Sequence, residues 1–181
     1  MTPALEDRLQ RVEDRLELLE LPARYHRAID DRDISELVAL FTEDGRFVHT
    51  DGSGPVGRDA IERFYVDILG GYGMSVHIPH AQVIERLDGD EANGWVLAHA
   101  ELAVDDRYVV VALRYEDEYR RVEGRWLFAS RTLWFWYFTD SEDLAATVGS
   151  PNRKRFRGEP RPGDLPESLA TYRDFVAEVS R

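Results

Sequence analysis

The spacing of apolar residues changes along the chain from a helical period to a strand period. Near the N-terminus apolar residues recur every three or four positions, which is the helical period; they are Leu5, Leu9, Val12, Leu16 and Leu19. Thr2 and Pro3 have the chemistry of a helix start. We interpret this segment as an amphipathic helix that lies on its own domain. A contact between subunits is the alternative, because two heptads are too few to indicate a coiled coil.

Further helical segments are predicted before the strands begin. Pro22 is expected to restart a helix that runs to about Asp31. Asp33 and Glu36 have the spacing of a capping box, so they predict the start of another helix. The rest of this half is predicted to contain a helix end at Asp44-Gly45, a short strand over 46–49 and a helix over 59–69.

From residue 75 onward the period becomes two, which is typical of strands. Four long strands are predicted over 75–87, 92–104, 107–122 and 125–138. The turns between them are short, so the strands should form an antiparallel meander. Helices followed by a meander are typical of an α+β fold. We therefore assign residues 1–138 to one α+β domain.

Residues 139–181 differ in composition from the rest of the chain. The stretch 139–165 is rich in Pro, Gly and charge, and it is predicted to be an extended arm. A short amphipathic helix should follow it and pack, with the arm, on the same domain or on a neighbouring subunit. We expect the basic cluster in the arm to pair with acidic surface groups rather than to hold an anion; its members are Arg153, Lys154, Arg155 and Arg157.

Charge and composition exclude several classes of partner. The chain has 23 basic and 35 acidic side chains, a net charge of −12, which disfavours nucleic acid and anionic membranes. It has no cysteine, so disulfides and Cys-ligated metals are excluded. No signal peptide and no membrane-spanning run are recognised, and we expect a cytoplasmic location. No phosphate-binding loop or metal-binding histidine pair is seen either, so neither a cofactor nor a metal is expected.

Several short segments resemble one family when they are taken together and in order. They are ARYHRAIDDRD at 23–33, the stretches 37–41 and 43–47, GRDAI at 57–61 and RWLF at 125–128. Over about residues 20–138 the chain resembles the SnoaL-like branch of the nuclear-transport-factor-2-like superfamily. The resemblance implies a cone-shaped α+β barrel, in which N-terminal helices pack on a curved antiparallel sheet and enclose a pocket.

Within that superfamily the chain is most similar to the group of scytalone dehydratase, bile-acid 7α-dehydratase and hexachlorocyclohexane dehydrochlorinase. This group has an Asp at the end of the pocket helix and a His at the start of the first long strand, and Asp30 and His77 match them. Tyr25 falls where the bile-acid dehydratases carry a Tyr, although the dehydrochlorinase has a Lys there. Arg131 falls where the dehydrochlorinase carries an Arg.

The resemblance implies a cofactor-independent lyase that eliminates water or halide. His77 would act as the base, and Asp30 would fix its tautomer. Tyr25 would donate to the departing hydroxyl or hold a substrate carbonyl, and Arg131 would stabilise negative charge. Two alternatives stay open: an isomerase or polyketide cyclase that uses Asp30 as the base, and a non-catalytic ligand-binding or assembly module.

The expected substrate is a small, mostly apolar cyclic molecule such as a polyketide, steroid or terpenoid intermediate. Its pocket wall is predicted to include Phe47, Val111, Leu113, Tyr115 and Leu133. His99 alternates with the apolar pocket-facing residues of its strand, so it should lie on the back of the sheet. Trp95, Leu97 and Trp136 share that back, which should be covered in a homo-oligomer; the resemblance favours a trimer over a dimer.

Overall fold

The computed structural model describes residues 3–155 and 158–180. Their main helices are α1 (Pro3–Asp30), α2 (Ile34–Ala39), α3 (Arg58–Gly70), α4 (Leu144–Val148) and α5 (Ala170–Val179). Their strands are β1 (Phe41–His49), β2 (Tyr72–Asp88), β3 (Glu91–Val104), β4 (Arg107–Val122) and β5 (Arg125–Asp140).

The strands form one five-stranded sheet in the order β1-β5-β4-β3-β2. The predicted meander is confirmed, because β2, β3, β4 and β5 pair antiparallel in sequence. The sheet is nevertheless mixed, because β1 pairs with β5 in parallel. It is also open, since β1 and β2 remain two separate edges. The α+β class with helices packed on a curved sheet is thus confirmed, whereas the closed, antiparallel form of the barrel is not.

Helix α1 runs without a break through Pro22, so the predicted restart is wrong. Proline has no N–H, which leaves the carbonyl of Leu18 without its helical donor. The side-chain amide of Gln82, on β2, donates to that carbonyl at 2.9 Å. A sheet residue therefore supplies the hydrogen bond that the proline removes, and the helix continues.

The predicted apolar stripe at the start of α1 does not lie on its own domain. Its exposed fractions range from 44% at Leu9 to 57% at Leu16. The buried face of α1 is a different stripe, which starts at Asp14 and continues through Leu18, Leu21, Tyr25, Ala28 and Ile29. The leading interpretation of the first stripe is therefore wrong, and the subunit contact stays a prediction.

Helix α2 starts as predicted but ends early. The Asp33 side chain accepts the backbone N–H of Glu36 at 2.9 Å, as expected of a cap. The helix then ends at Ala39, and β1 already begins at Phe41. Phe41 is fully buried and pairs with Phe128 of β5. This pairing converts the predicted last turn of the helix into strand.

The predicted extended arm over 139–165 is wrong for its first part, because β5 continues to Asp140 and α4 follows at Leu144–Val148. Residues 150–155 and 158–165, which we call the arm, pack beside the part of β5 that extends past its last pair with β1. Phe138 donates its N–H to the carbonyl of Arg153 at 2.9 Å, and Asp164 donates to the carbonyl of Phe135 at 2.8 Å. As expected, basic residues of the arm pair with the chain's own acids, Arg153 with Glu167 at 2.5 Å and Lys154 with Asp164 at 2.6 Å. Arg157 lies outside the described residues.

Helix α5 follows the arm, and all of its residues are exposed. Its apolar residues Phe175 and Val179 are 60% and 64% exposed, so they do not pack on the described part of the chain. None of the described helices is both long and apolar enough to cross a membrane.

Candidate active site

A cavity of about 380 Å³ lies between α1, α3 and the concave face of the sheet. All of the residues predicted to form its wall do line it: Phe47, Val111, Leu113, Tyr115 and Leu133. Aromatic and aliphatic side chains dominate the lining, as is usual for sites that bind small organic molecules. Tyr25 and His77 are also on the wall.

The end of α1 places Asp30 at this cavity. The chain leaves the helix through Arg32, which has a left-handed φ of 61°. Asp33 then donates its N–H to the carbonyl of Ala28, and Arg32 donates to that of Ile29. This pair of bonds is a Schellman motif, which fixes the last helical turn. The Asp30 carboxylate is consequently held at a defined helix end.

Asp30 binds His77 through both carboxylate oxygens. Oδ2 accepts the backbone N–H of His77 at 2.7 Å, and Oδ1 contacts the ring Nδ1 at 2.7 Å. The His77 side chain is 11% exposed and that of Asp30 21%. Two bonds between the same residues fix both the position and the rotation of the imidazole. The structure therefore brings the two residues together, as the resemblance implied.

Hydrogen bonds from neighbouring side chains keep the Asp30 carboxylate ionised. Burial by itself would raise the pKa of this carboxyl, but hydrogen bonds from His77 and from the Ser75 side chain hold the pKa below its ordinary value. Ser75 is oriented in turn by Arg32, whose Nη1 donates to the Ser75 oxygen at 2.6 Å. Ser75 and Arg32 were not predicted as site residues, because neither belongs to a recognisable sequence pattern.

The ionised carboxylate determines the tautomer of His77. A carboxylate can only accept, so Nδ1 must carry the proton that it shares with Asp30. In the neutral ring Nε2 is then the unprotonated nitrogen. Nε2 makes no hydrogen bond within the described residues, and the ring lines the cavity. The arrangement thus presents a proton acceptor to a molecule in the cavity.

Irregular pairing in β2 explains why alternation alone could not show that His77 points inward. The register between β2 and β3 shifts between Pro79 and Ala81. Before the shift the inward side chains are odd-numbered, at Ser75 and His77; after it they are even-numbered, at Gln82 and Ile84. A bulge reverses which residues face the core.

His26 is a site residue that was not predicted from the sequence. Its ring stacks on that of His77, with centroids 5.5 Å apart and planes 11° from parallel. It is 2% exposed, and neither ring nitrogen has a partner in the described part of the chain. Burial, and next the charge of Arg131, hold its pKa well below the ordinary value. His26 is therefore a neutral, buried neighbour of His77.

The hydroxyl of Tyr25 is hydrogen-bonded to that of Tyr65 on α3. Tyr65 is a second residue that was not predicted as part of the site. The two hydroxyls are in direct hydrogen-bond contact, and both residues line the cavity. Burial raises the pKa of each phenol well above its ordinary value, so both stay protonated. The Tyr115 hydroxyl also bonds to that of Tyr25, and three hydroxyl protons with two mutual bonds leave one proton that can be donated into the cavity.

Arg131 lies beneath the cavity instead of on its wall. Its guanidinium is fully buried and donates to both oxygens of Asp117, at 2.8 and 2.7 Å. Rings cover it on the cavity side, with the centroids of Tyr25 and Tyr115 at 4.3 and 4.1 Å. The predicted direct contact between Arg131 and a substrate anion has no path in this arrangement.

His99 lies on the outer face of the sheet, as predicted. Its Nδ1 is 2.6 Å from Nε2 of His80, and both side chains are exposed. Within residues 3–155 and 158–180, no group of three or more His, Asp or Glu side chains is arranged to hold a metal ion.

The geometry agrees with the family comparison. Residues 10–132 match the model of the SnoaL-like domain. This match covers more than half of the chain, so the protein belongs to the SnoaL-like family of the nuclear-transport-factor-2-like superfamily. A curated relative is an uncharacterized protein of Mycobacterium tuberculosis, 29% identical over 119 residues, which are 64% of this chain and 80% of the relative.

Solved structures with the same fold include enzymes of elimination. A protein of Novosphingobium aromaticivorans provisionally described as a scytalone dehydratase is 23% identical, with a TM-score of 0.67 over 72% of this chain and 89% of that one. A hexachlorocyclohexane dehydrochlorinase is 20% identical, with a TM-score of 0.69 over 73% and 91%. A protein of N. aromaticivorans provisionally described as an aromatic ring hydroxylase is 28% identical, with a TM-score of 0.67 over 74% and 97%. The two less similar proteins establish the fold alone.

Proposed function

We propose that this protein is a cofactor-independent lyase that removes water from a small, mostly apolar cyclic molecule. The observation that carries the proposal is the double contact of Asp30 with His77, which leaves Nε2 unprotonated against an apolar cavity. Dehydratase and dehydrochlorinase relatives of the fold support it.

The proposed reaction starts with a β-hydroxy ketone whose ring lies in the cavity. Nε2 of His77 takes the proton from the carbon between the carbonyl and the hydroxyl-bearing carbon, and the electron pair of that C–H bond forms an enolate. The enolate then forms the C=C bond while the C–O bond breaks. The hydroxyl leaves with the proton from the His77 imidazolium as water, which returns His77 to its neutral form.

Asp30 acts on His77 throughout this cycle. It holds Nδ1–H and stabilises the positive charge that the ring carries between the two proton transfers. The C-terminal end of α1 lies at the same place, and its partial negative charge acts in the same direction. His26, which stays neutral, adds no second positive charge beside that ring.

The linked tyrosine hydroxyls are proposed to hold the substrate carbonyl. A phenol whose pKa is raised is a poor proton source for a leaving group but a stable hydrogen-bond donor, so the free proton of these hydroxyls is suited to an enolate oxygen. Arg131 is proposed to support the rings of Tyr25 and Tyr115 from below, and it does not contact the substrate.

The experiment is a dehydration assay with a panel of cyclic β-hydroxy ketones and hydroxysteroids, followed by the ultraviolet absorbance of the conjugated enone. We expect His77→Ala to abolish turnover and Asp30→Asn to lower kcat by roughly 100-fold or more. Tyr25→Phe should lower kcat by roughly tenfold. His99→Ala is the matched control, because it removes an exposed histidine of the outer face and should leave turnover unchanged.

The isomerase or cyclase and the binding module each predict a different outcome of this assay. Loss of turnover in Asp30→Asn but not in His77→Ala would indicate an isomerase or cyclase that uses Asp30 as its base. The structure disfavours this, because Asp30 uses both oxygens on His77. A ligand that binds tightly without reacting would indicate a binding module. Unchanged turnover in both variants would refute the pairing as a catalytic unit.

A further inference from the structure

The arm adds polar side chains to the mouth of the cavity. Lys154, Arg161 and Asp164 line it together with His49 and Asp51 from the end of β1 and the loop that follows. The match to the family ends at residue 132, so the arm lies outside the part that the family shares. Lys154, Arg161 and Asp164 are therefore features of this chain that the matched family domain does not supply.

The arm has the opposite charge to the molecule as a whole. Residues 150–165 contain five basic and two acidic side chains, whereas the whole chain has a net charge of −12. Among the basic ones, Lys154 and Arg161 reach the cavity. Two basic side chains, Lys154 and Arg161, face two acidic ones, Asp51 and Asp164, at the mouth, so attraction of an anion depends on whether the carboxylates leave a cation unpaired.

The acidic groups at the mouth are already engaged. Asp164 accepts from Lys154 at 2.6 Å, from the N–H of Phe135 at 2.9 Å and from Thr50 at 3.1 Å. Asp51 accepts from the backbone and the hydroxyl of Ser53 at 2.9 and 2.6 Å, and it stands in solvent, which screens its charge. Neither carboxylate pairs with Arg161.

Arg161 is held by its backbone while its side chain stays available. Its N–H and carbonyl form two bonds with Lys154, at 2.9 and 3.0 Å. Its guanidinium has no hydrogen bond or ion pair to any residue in the described part of the chain, and it lines the cavity. A guanidinium offers two parallel N–H donors that match the two oxygens of a carboxylate.

The remaining groups at the mouth fit the same ligand. Lys154 uses one of its three donors on Asp164 and keeps two. Burial lowers the pKa of His49 below its ordinary value; the charges of Asp51 and Asp164 oppose this, and those of Lys154 and Arg161 add smaller lowering effects. His49 is therefore neutral at pH 7, and its ring can contact either a charged or an uncharged ligand.

We propose that the arm makes the cavity selective for cyclic substrates that carry a carboxylate, which Arg161 binds at the mouth with the help of Lys154. The inference rests on the lyase proposed above for the identity of the reaction, but the binding preference itself requires no turnover. One unpaired guanidinium matches a monoanionic carboxylate, while the apolar wall holds the ring.

The test compares the binding of naphthylacetate and naphthylacetamide by isothermal titration calorimetry. The two probes have the same ring and almost the same shape, but only the first is charged. We expect the wild-type protein to bind the acetate about tenfold more tightly, equivalent to about 1.4 kcal/mol. Arg161→Gln should abolish this preference, and Arg161→Lys should restore part of it.

Arg155→Gln is the matched control, because it removes one positive charge from the arm at a side chain that does not line the cavity. It should keep the preference for the acetate. Circular dichroism should show that all variants are folded, since the Arg161 side chain makes no hydrogen bond or ion pair within the described residues that the substitution would break. The proposal is overturned by equal binding of both probes to the wild type, by an unchanged preference in Arg161→Gln, or by no binding of the acetate at millimolar concentration.

The same measurement separates this inference from the proposed reaction. His77→Ala should keep the preference for the acetate even though it cannot catalyse elimination. If the preference is present and no dehydration is found, only the proposed reaction fails. If His77-dependent dehydration is found and the preference is absent, only the role of Arg161 fails.

Discussion

Replacing Arg131 by Met should destabilise the protein severely, because it leaves Asp117 buried without its partner. Both side chains are fully buried, and both carboxylate oxygens accept from the guanidinium. In the variant, Asp117 keeps one side-chain bond, the one from the Tyr119 hydroxyl at 2.9 Å. Removing one partner of a buried ion pair costs about 3–5 kcal/mol of unfolding free energy. In a domain of this size that loss lowers the Tm by about 6–20 °C.

Urea unfolding followed by tryptophan fluorescence measures this loss. The double variant Arg131→Met with Asp117→Asn should regain at least half of it, because the unpaired charge is then removed as well. Arg120→Met is the control for an exposed pair: its bond to Asp44 at 3.1 Å is solvated, and its removal should cost under about 1 kcal/mol. A loss below about 1 kcal/mol for Arg131→Met would refute the structural role that we assign to this residue.

Two further predictions concern buried polar groups. His26→Leu should stabilise the fold by about 1 kcal/mol, since both ring nitrogens of His26 are buried without partners in the described residues. Folding lowers the pKa of His26, so below about pH 6.5 the unfolded chain binds a proton at His26 that the folded chain does not. The free energy of unfolding of the wild type should therefore decrease as the pH falls below about 6.5. In urea titrations at pH 7.5 and pH 5, His26→Leu should lose less unfolding free energy than the wild type. The same loss in both proteins would contradict this prediction. Gln82→Leu should lower the free energy of unfolding by about 1–3 kcal/mol, because the Leu18 carbonyl loses its donor. Pro22→Ala supplies a helical N–H for that carbonyl, so it should stabilise the Gln82→Leu variant more than it stabilises the wild type.

The elements with a clear period were predictable from the sequence, whereas their junctions were not. The four strands of the meander follow an apolar period of two and short turns, and each appears within a few residues of its predicted bounds. The position of Phe41 depends instead on its pairing with Phe128, which is 87 residues away and leaves no local trace. The continuity of α1 through Pro22 depends in the same way on Gln82.

Some residues of the candidate site were predictable from the sequence and others were not, for a similar reason. The resemblance located Asp30 and His77 because these two residues lie in recognisable short segments, and it located the apolar wall through strand alternation. It could not locate His26, whose importance comes only from stacking on His77 in three dimensions. The resemblance also placed Arg131 on the last strand, but it could not show that Arg131 lies below the cavity wall. The rings that separate Arg131 from the cavity belong to α1 and to the neighbouring strand β4.

The contact between Asp30 and the backbone of His77 has a further consequence for the free edge of the sheet. β2 is an edge strand, and such a strand presents unpaired N–H groups that can recruit a strand from another molecule. Asp30 occupies one of these donors at 2.7 Å, and the charged end of α1 covers the edge at that point. The irregular register beyond Pro79 disrupts the edge again. The carboxylate that orients the imidazole therefore also protects the protein against strand-to-strand aggregation.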